Sequence, residues 1–100
     1  MSHRGSLLFT PSGVSAIAAT TPAESTPAML APLFAEPEGA VELALLGMGA
    51  DIAAAPAALR DALRAHGLRF EAMATGAAAR TYNVMVDEDR RVAAVLLAVP

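Results

Sequence analysis

Apolar residues along this chain change their spacing several times, and each change marks an element. Residues 5–9, Gly-Ser-Leu-Leu-Phe, predict a strand, and Pro11-Ser12-Gly13 predicts a turn. Val14 to Ala19 predicts a return strand. Three threonines, two prolines and a serine between 20 and 27 have the composition of a loop. Thr26 and Pro27 then open a short helix, with threonine as cap and proline at the first position, where its missing N–H costs nothing. Pro32 limits that helix to about two turns, and Pro37-Glu38-Gly39 ends the region.

Glu42 to Leu46 is mostly apolar without alternation, which suits a strand covered on both faces, as in a parallel sheet between helices. Asp51 to Ala55 has the character of a connecting loop. From Pro56 the spacing becomes helical, since Leu59, Ala62, Leu63 and His66 follow i, i+3, i+4, i+7. Arg60, Asp61 and Arg64 face outward, and Gly67 supplies a left-handed C-terminal cap. Leu68 to Met73 alternates, with Leu68, Phe70 and Ala72 against Arg69, Glu71 and Met73, so one face is expected in the core. A last helix over 76–86, with Thr75 as N-cap, leads through Asp87-Glu88-Asp89 to an apolar strand, Val92 to Val99. Ala78, Tyr82 and Met85 share one face of that helix.

Strand, helix, strand, helix, strand at short spacing predicts a single layered α/β domain with right-handed crossovers. A chain of 100 residues has room for one core. Leu59, Leu63, Phe70 and Leu96 are expected to share it.

Composition then narrows function by exclusion. The chain is 55% apolar and carries a net charge of −3, so it lacks the basic face that nucleic-acid binding needs. Arg90 and Arg91 follow Asp87, Glu88 and Asp89 directly, which suits a solvated, self-neutralised turn. With no cysteine there is no disulfide, thiol nucleophile or cysteine zinc site. His3 and His66 share no carboxylate spacing, so no metal or other cofactor is expected. His66 suits a capping or dipole contact near a helix C-terminus. No serine has an evident base, so no catalytic residue stands out. The longest apolar runs, 43–50 and 92–99, fall short of the roughly 20 residues that span a bilayer. Pro11 and Gly13 interrupt the apolar start too early for a signal peptide, which points to the cytoplasm.

Two stretches carry candidate chemistry. Gly47-Met48-Gly49 follows a buried strand, and glycines there let backbone amides approach an anion. The stretch is not G-x-G-x-x-G, because Ile52 stands at the last position, and no helix follows immediately. A plain tight turn and a ligand-contacting loop both fit it. The second stretch gathers Glu71, Thr75, Arg80, Tyr82 and Asn83, joined by Glu88 and Arg90, around the start of the last helix. One reading is an internal network, with Arg80 paired to a carboxylate, Asn83 satisfying loop backbone and Thr75 capping. The other is a pocket in which Arg80 anchors an anion and Tyr82 donates a hydrogen bond.

The ordered set L-x-G-x-G within 43–49, P-x-x-L-R at 56–60, E-x-M-x-T-x-x-A-x-R-T-Y-N-V at 71–84 and E-x-R-x-V-A-A-x-L-L at 88–97 resembles a small α/β domain family of unknown function. That family includes a mitochondrial assembly factor for respiratory complex I and many bacterial and archaeal single-domain proteins. Ser2 to Leu8 fits its early strand. The resemblance implies a mixed central sheet flanked by helices, with an additional N-terminal β element alongside. Ala74 stands where an acidic residue is common in the family, which weakens a binding role at that position. Asp89 replaces a usual glycine, which puts the tight turn there in doubt. Relatives also carry a further strand ahead of the segment matching Ser2 to Leu8. The chain is therefore expected to lack its own beginning, which leaves the strand near 6–10 as an open edge that invites self-association.

Two function classes remain. The first is a non-enzymatic, assembly-assisting module that binds another protein, as the resemblance implies. The second is a small-molecule binder or enzyme built from the Gly47/Gly49 loop and the Arg80–Asn83 segment. A closed concave pocket favours the second, and an exposed apolar or charged patch favours the first.

Overall fold

The computed structural model describes residues 5–49 and 55–98. A hairpin opens the fold: β1 (Ser6–Thr10) turns back antiparallel into β2 (Gly13–Ile17). Two 3₁₀ turns, Pro22–Glu24 and Pro27–Leu30, lead into the single helical turn α1 (Ala31–Phe34). The remaining elements are β3 (Leu43–Gly47), α2 (Ala57–Ala65), β4 (Arg69–Met73), α3 (Thr75–Asp87) and β5 (Val92–Leu96). They build one five-stranded sheet in the order β2-β1-β5-β3-β4. β3 runs parallel to both β4 and β5, whereas β1 runs antiparallel to β5, so the sheet is mixed.

Alternation along the strands sorts side chains into two layers of core. Leu8, Ala44, Leu46, Ala93 and Val95 face Leu30 and Leu33 of the α1 region and Leu59 and Leu63 of α2. Leu43, Leu45, Val92 and Ala94 face Ala78 of α3, with Phe9, Met73, Tyr82, Met85 and Leu96 closing the margin. The four residues expected in one core are thus divided. Leu59, Leu63 and Phe70 lie together, and Leu96 lies across the sheet beneath α3. Strand parity is the reason, since Leu96 and Val95 point to opposite faces.

β3 is buried along its whole length, as its unbroken apolar run predicts. β4 alternates but is only partly covered, because it is an edge strand. Phe70 packs on the α2 side, Met73 on the α3 side, and Ala72 is exposed. The helical turns that begin at Pro27 stop at Phe34, about the expected extent, although Pro32 is not what stops them. It occupies the first turn of α1, where a proline needs no hydrogen bond. The expected open edge at 6–10 is also corrected, since β1 pairs with β2 on one side and β5 on the other. The sheet's edges are β2 and β4.

Asp89 takes the left-handed conformation, φ 59°, directly after α3. The turn therefore forms without glycine, and aspartate is among the few other residues that tolerate that region. His66 ends α2 and stacks on Phe34 with ring centroids 3.8 Å apart, so its role is packing as much as capping. His3 and the 51–54 part of the expected loop lie outside the described residues.

Candidate functional site

The carboxyl ends of β3 and β5 meet the start of α3, and the candidate residues Gly47, Gly49 and Thr75 come together there. α3 follows β4 after a single residue, Ala74, which is therefore the N-cap. Thr75 is the first helical residue instead of the cap, which corrects the sequence reading. Its hydroxyl accepts from the Gly49 N–H at 2.9 Å and donates to the Leu97 carbonyl at 2.8 Å. Its own N–H donates to the Gly49 carbonyl at 2.8 Å. One threonine thereby ties the chain after β3 to the chain after β5. The capping position itself has no side-chain hydrogen bond, because Ala74 has no polar atom to offer.

Gly47 is required by space. A Cβ on it would stand 2.9 Å from Thr75 Cα, 3.1 Å from Ala78 Cβ and 3.1 Å from the Val95 carbonyl. Contact with backbone on two sides leaves nothing that can yield. Gly49 is required by conformation, with φ 116°. The Met48 N–H donates to Met73 O at 2.9 Å, and Leu97 N–H donates to Gly47 O at 3.0 Å. The amides of Met48 and Gly49 thus both point into the fold. A phosphate-binding loop works by presenting such amides outward.

The other candidates do not join this knot. Arg80 is exposed and forms no ion pair with a described carboxylate, so the expected internal pairing is absent among the described residues. Its guanidinium runs back along the helix toward Gly76, 3.6 Å from where a Cβ would sit. Asn83 is exposed and holds no loop backbone among the described residues, and Glu71 is exposed on edge strand β4. Tyr82 packs its ring on Phe9 of β1 at 5.3 Å, tilted by 42°.

Arg90 and Arg91 pair with Glu42, and of the acidic residues before them Glu88 adds only a lesser attraction on Arg90. Arg90 Nε donates to Glu42 Oε1, and Arg91 lies 3.7 Å from the other Glu42 oxygen while donating to the Gly39 carbonyl at 2.9 Å. The Arg90 hydrogen bond holds the Glu42 carboxyl below the ordinary glutamate range. This clasp fastens the segment before β3 to the segment before β5.

One surface escaped the sequence reading. Val14 is 57% exposed, Val84 57% and Val86 45%. Val14 lies opposite Phe9 in the hairpin register, on the same face of the sheet. Val86 follows Tyr82 by one helical turn. Val14, Phe9, Tyr82 and Val86 therefore form an apolar flank where α3 stops covering the sheet. The N-V-M-V stretch at 83–86 held the signal: a single buried helix face cannot take both Met85 and its two neighbouring valines.

Among the described residues no group of three or more His, Asp or Glu could hold a metal ion. No described helix is long and apolar enough to cross a membrane. A cavity of about 710 Å³ opens between the 36–41 loop and the end of α2, and none of the candidate residues lines it.

Fold and site together define a three-layer α/β domain in which Thr75 ties Gly49 to Leu97. The chain belongs to the family described as "protein of unknown function (DUF498/DUF598)", which it matches over residues 1–97. An uncharacterized protein of Rhodobacter capsulatus is 53% identical over 62 residues, covering 62% of this chain and 50% of that protein. The match thus spans half the length of that relative. A Bartonella henselae protein described as an outer membrane protein has a similar structure, with a TM-score of 0.89 at 40% identity over all of this chain and 83% of that one. The Rpa2829 protein of Rhodopseudomonas palustris gives a TM-score of 0.82 at 45% identity, over all of this chain and 73% of its own.

Proposed function

We propose that this chain is a non-enzymatic binding module that assists the assembly of a larger protein complex. Its contact surface is the apolar flank around Phe9 and Tyr82. The observation that carries this is the exposure of Val14 and Val86 on either side of the Phe9–Tyr82 pair. Large apolar side chains gathered on one surface mark contact with another apolar surface. The family resemblance supplies the class of partner, a subunit or assembly intermediate of a respiratory complex. The cytoplasm is the compartment proposed for that encounter. The small-molecule reading needs free amides between Gly47 and Gly49, and those of Met48 and Gly49 are taken by Met73 and Thr75.

A photo-crosslinking residue at position 86, expressed in the native host, tests the proposal. The expected result is an adduct with a respiratory-complex subunit or assembly intermediate. A control at Glu71, on the exposed edge strand, should give none. Equal adducts from both positions, or none from position 86, would overturn it.

A further inference from the structure

The side of the sheet that faces α1 and α2, opposite the flank, carries two adjoining hollows. The cavity of about 710 Å³ beside the 36–41 loop has the size of a small-molecule site. A shallower hollow meets it along Phe34, Ala65 and His66, and proline and alanine side chains such as Pro27, Ala31 and Ala62 line the remainder. Phe34 and His66, stacked with their planes 5° apart, form the wall common to both. His66 is exposed although one face of its ring lies on Phe34, so the rest of the ring is open to a ligand.

The charges around this wall have one sign. Glu36 and Glu38 line the cavity, no arginine lines either hollow, and neither glutamate forms an ion pair with a described residue. Glu36 accepts from the Ser12 N–H at 3.1 Å, and hydrogen bonding from Ser12 holds its carboxyl below the ordinary glutamate range. It is therefore ionised at neutral pH. The C-terminus of α2 adds the negative end of a helix dipole. The neighbouring arginines are engaged elsewhere. Arg64 lies over the Phe70 ring and 3.5 Å from Asp61, and Arg91 holds Glu42 and the Gly39 carbonyl.

We propose that the double hollow is a binding site for a small organic cation, an amine carried on a flat apolar body. The flat body stacks on the open part of His66 and rests against the alanine-lined hollow. The ammonium group then lies in the cavity, toward Glu36 and Glu38. A ring face attracts positive charge, and so do carboxylates, which makes the two kinds of wall agree on the sign of the ligand. An anion meets repulsion from the same groups, and an uncharged apolar ligand leaves both carboxylates unused.

The site does not depend on what binds the flank, because Phe34 packs on one core layer and Phe9 and Tyr82 on the other. Tryptamine is the probe, and the chain contains no tryptophan, so indole emission reports the ligand alone. Titration should saturate, with amide shifts in a nitrogen–proton correlation spectrum confined to residues 34–41 and 62–68. Indole-3-propionate, which carries a carboxylate on the same ring, should bind about tenfold more weakly. Glu38→Gln and His66→Ala should each weaken tryptamine by roughly two- to fivefold. Val86→Asp should bind it like the wild type. Glu38 lies on an exposed loop, so Glu38→Gln carries the comparison even if His66→Ala unfolds. Tryptamine that fails to saturate at millimolar concentration overturns the inference, as does equal binding of indole-3-propionate or undiminished binding by Glu38→Gln. The peptide acetyl-Ala-Arg-Ala-amide binding the same residues more tightly than tryptamine would assign the hollow to a protein side chain and overturn the small-ligand reading.

Discussion

The start of α3 and its second half treat their neighbours in opposite ways. At the start, Thr75 uses its amide and its hydroxyl on Gly49 and Leu97, and Gly47 leaves no space for a methyl group. Half a helix further on, Tyr82 rests on Phe9, and Val14 and Val86 beyond it remain in solvent. The first region holds Gly47, Gly49 and Thr75 and uses the polar atoms of Thr75 internally. The second holds Tyr82 of the Arg-Thr-Tyr-Asn stretch, packed on Phe9, and keeps unused apolar surface. On the proposed reading, capacity to bind resides in what folding leaves over, and that surplus is the hairpin flank.

The largest effect that sharpens this contrast belongs to Gly47→Ala. The added carbon meets Thr75 Cα at 2.9 Å, so helix and strand must separate, at a cost of about 1–3 kcal/mol. Urea denaturation measures it, and a loss below ~0.5 kcal/mol would mean the close approach does not constrain the knot. Ala74→Asp should act in the opposite direction. It places an acceptor at the empty N-cap of α3, and a good cap stabilises a helix by roughly 1 kcal/mol. A melting temperature that does not rise would show that the Gly76 and Ala77 amides gain nothing from a cap at position 74. Asp89→Gly is the smallest. It relieves a left-handed residue at the other end of α3 and should add a few tenths to about 1 kcal/mol, with the flank unaffected.

Much of the fold is legible in the sequence because period and turn chemistry agree. The unbroken run at Leu43–Gly47 requires cover on both faces, and Leu59 and Leu63 repeat at helical spacing. Layer assignment is less legible, because parity decides it: one residue separates Val95 from Leu96 and places them on opposite faces. The knot illustrates a different gap. Threonine before a helix suggests a cap, yet with one residue between β4 and α3 the cap falls on Ala74, and Thr75 is released for long-range bonds. The ion pairs elude local reading for the same reason. Arg90 sits beside three acidic residues and nonetheless pairs with Glu42, 48 residues away in sequence. The open flank stays hidden because exposure of Val14 and Val86 depends on how far α3 extends over the sheet.

The contrast between knot and flank is tested most directly by one crosslinking comparison. A photo-reactive residue replaces Ala16, which lies on the flank face of β2, and it is combined in turn with Thr75→Val and Val86→Asp. Partner adduct is then scored per folded molecule in the native host. Thr75→Val strands Gly49 N–H and Leu97 C=O and should destabilise the domain by about 1–3 kcal/mol, yet the folded fraction should crosslink at the wild-type yield. Val86→Asp should melt like the wild type and lose the adduct. A lost adduct in folded Thr75→Val, with an undiminished one in Val86→Asp, would contradict the account and return the function to the glycine-threonine end.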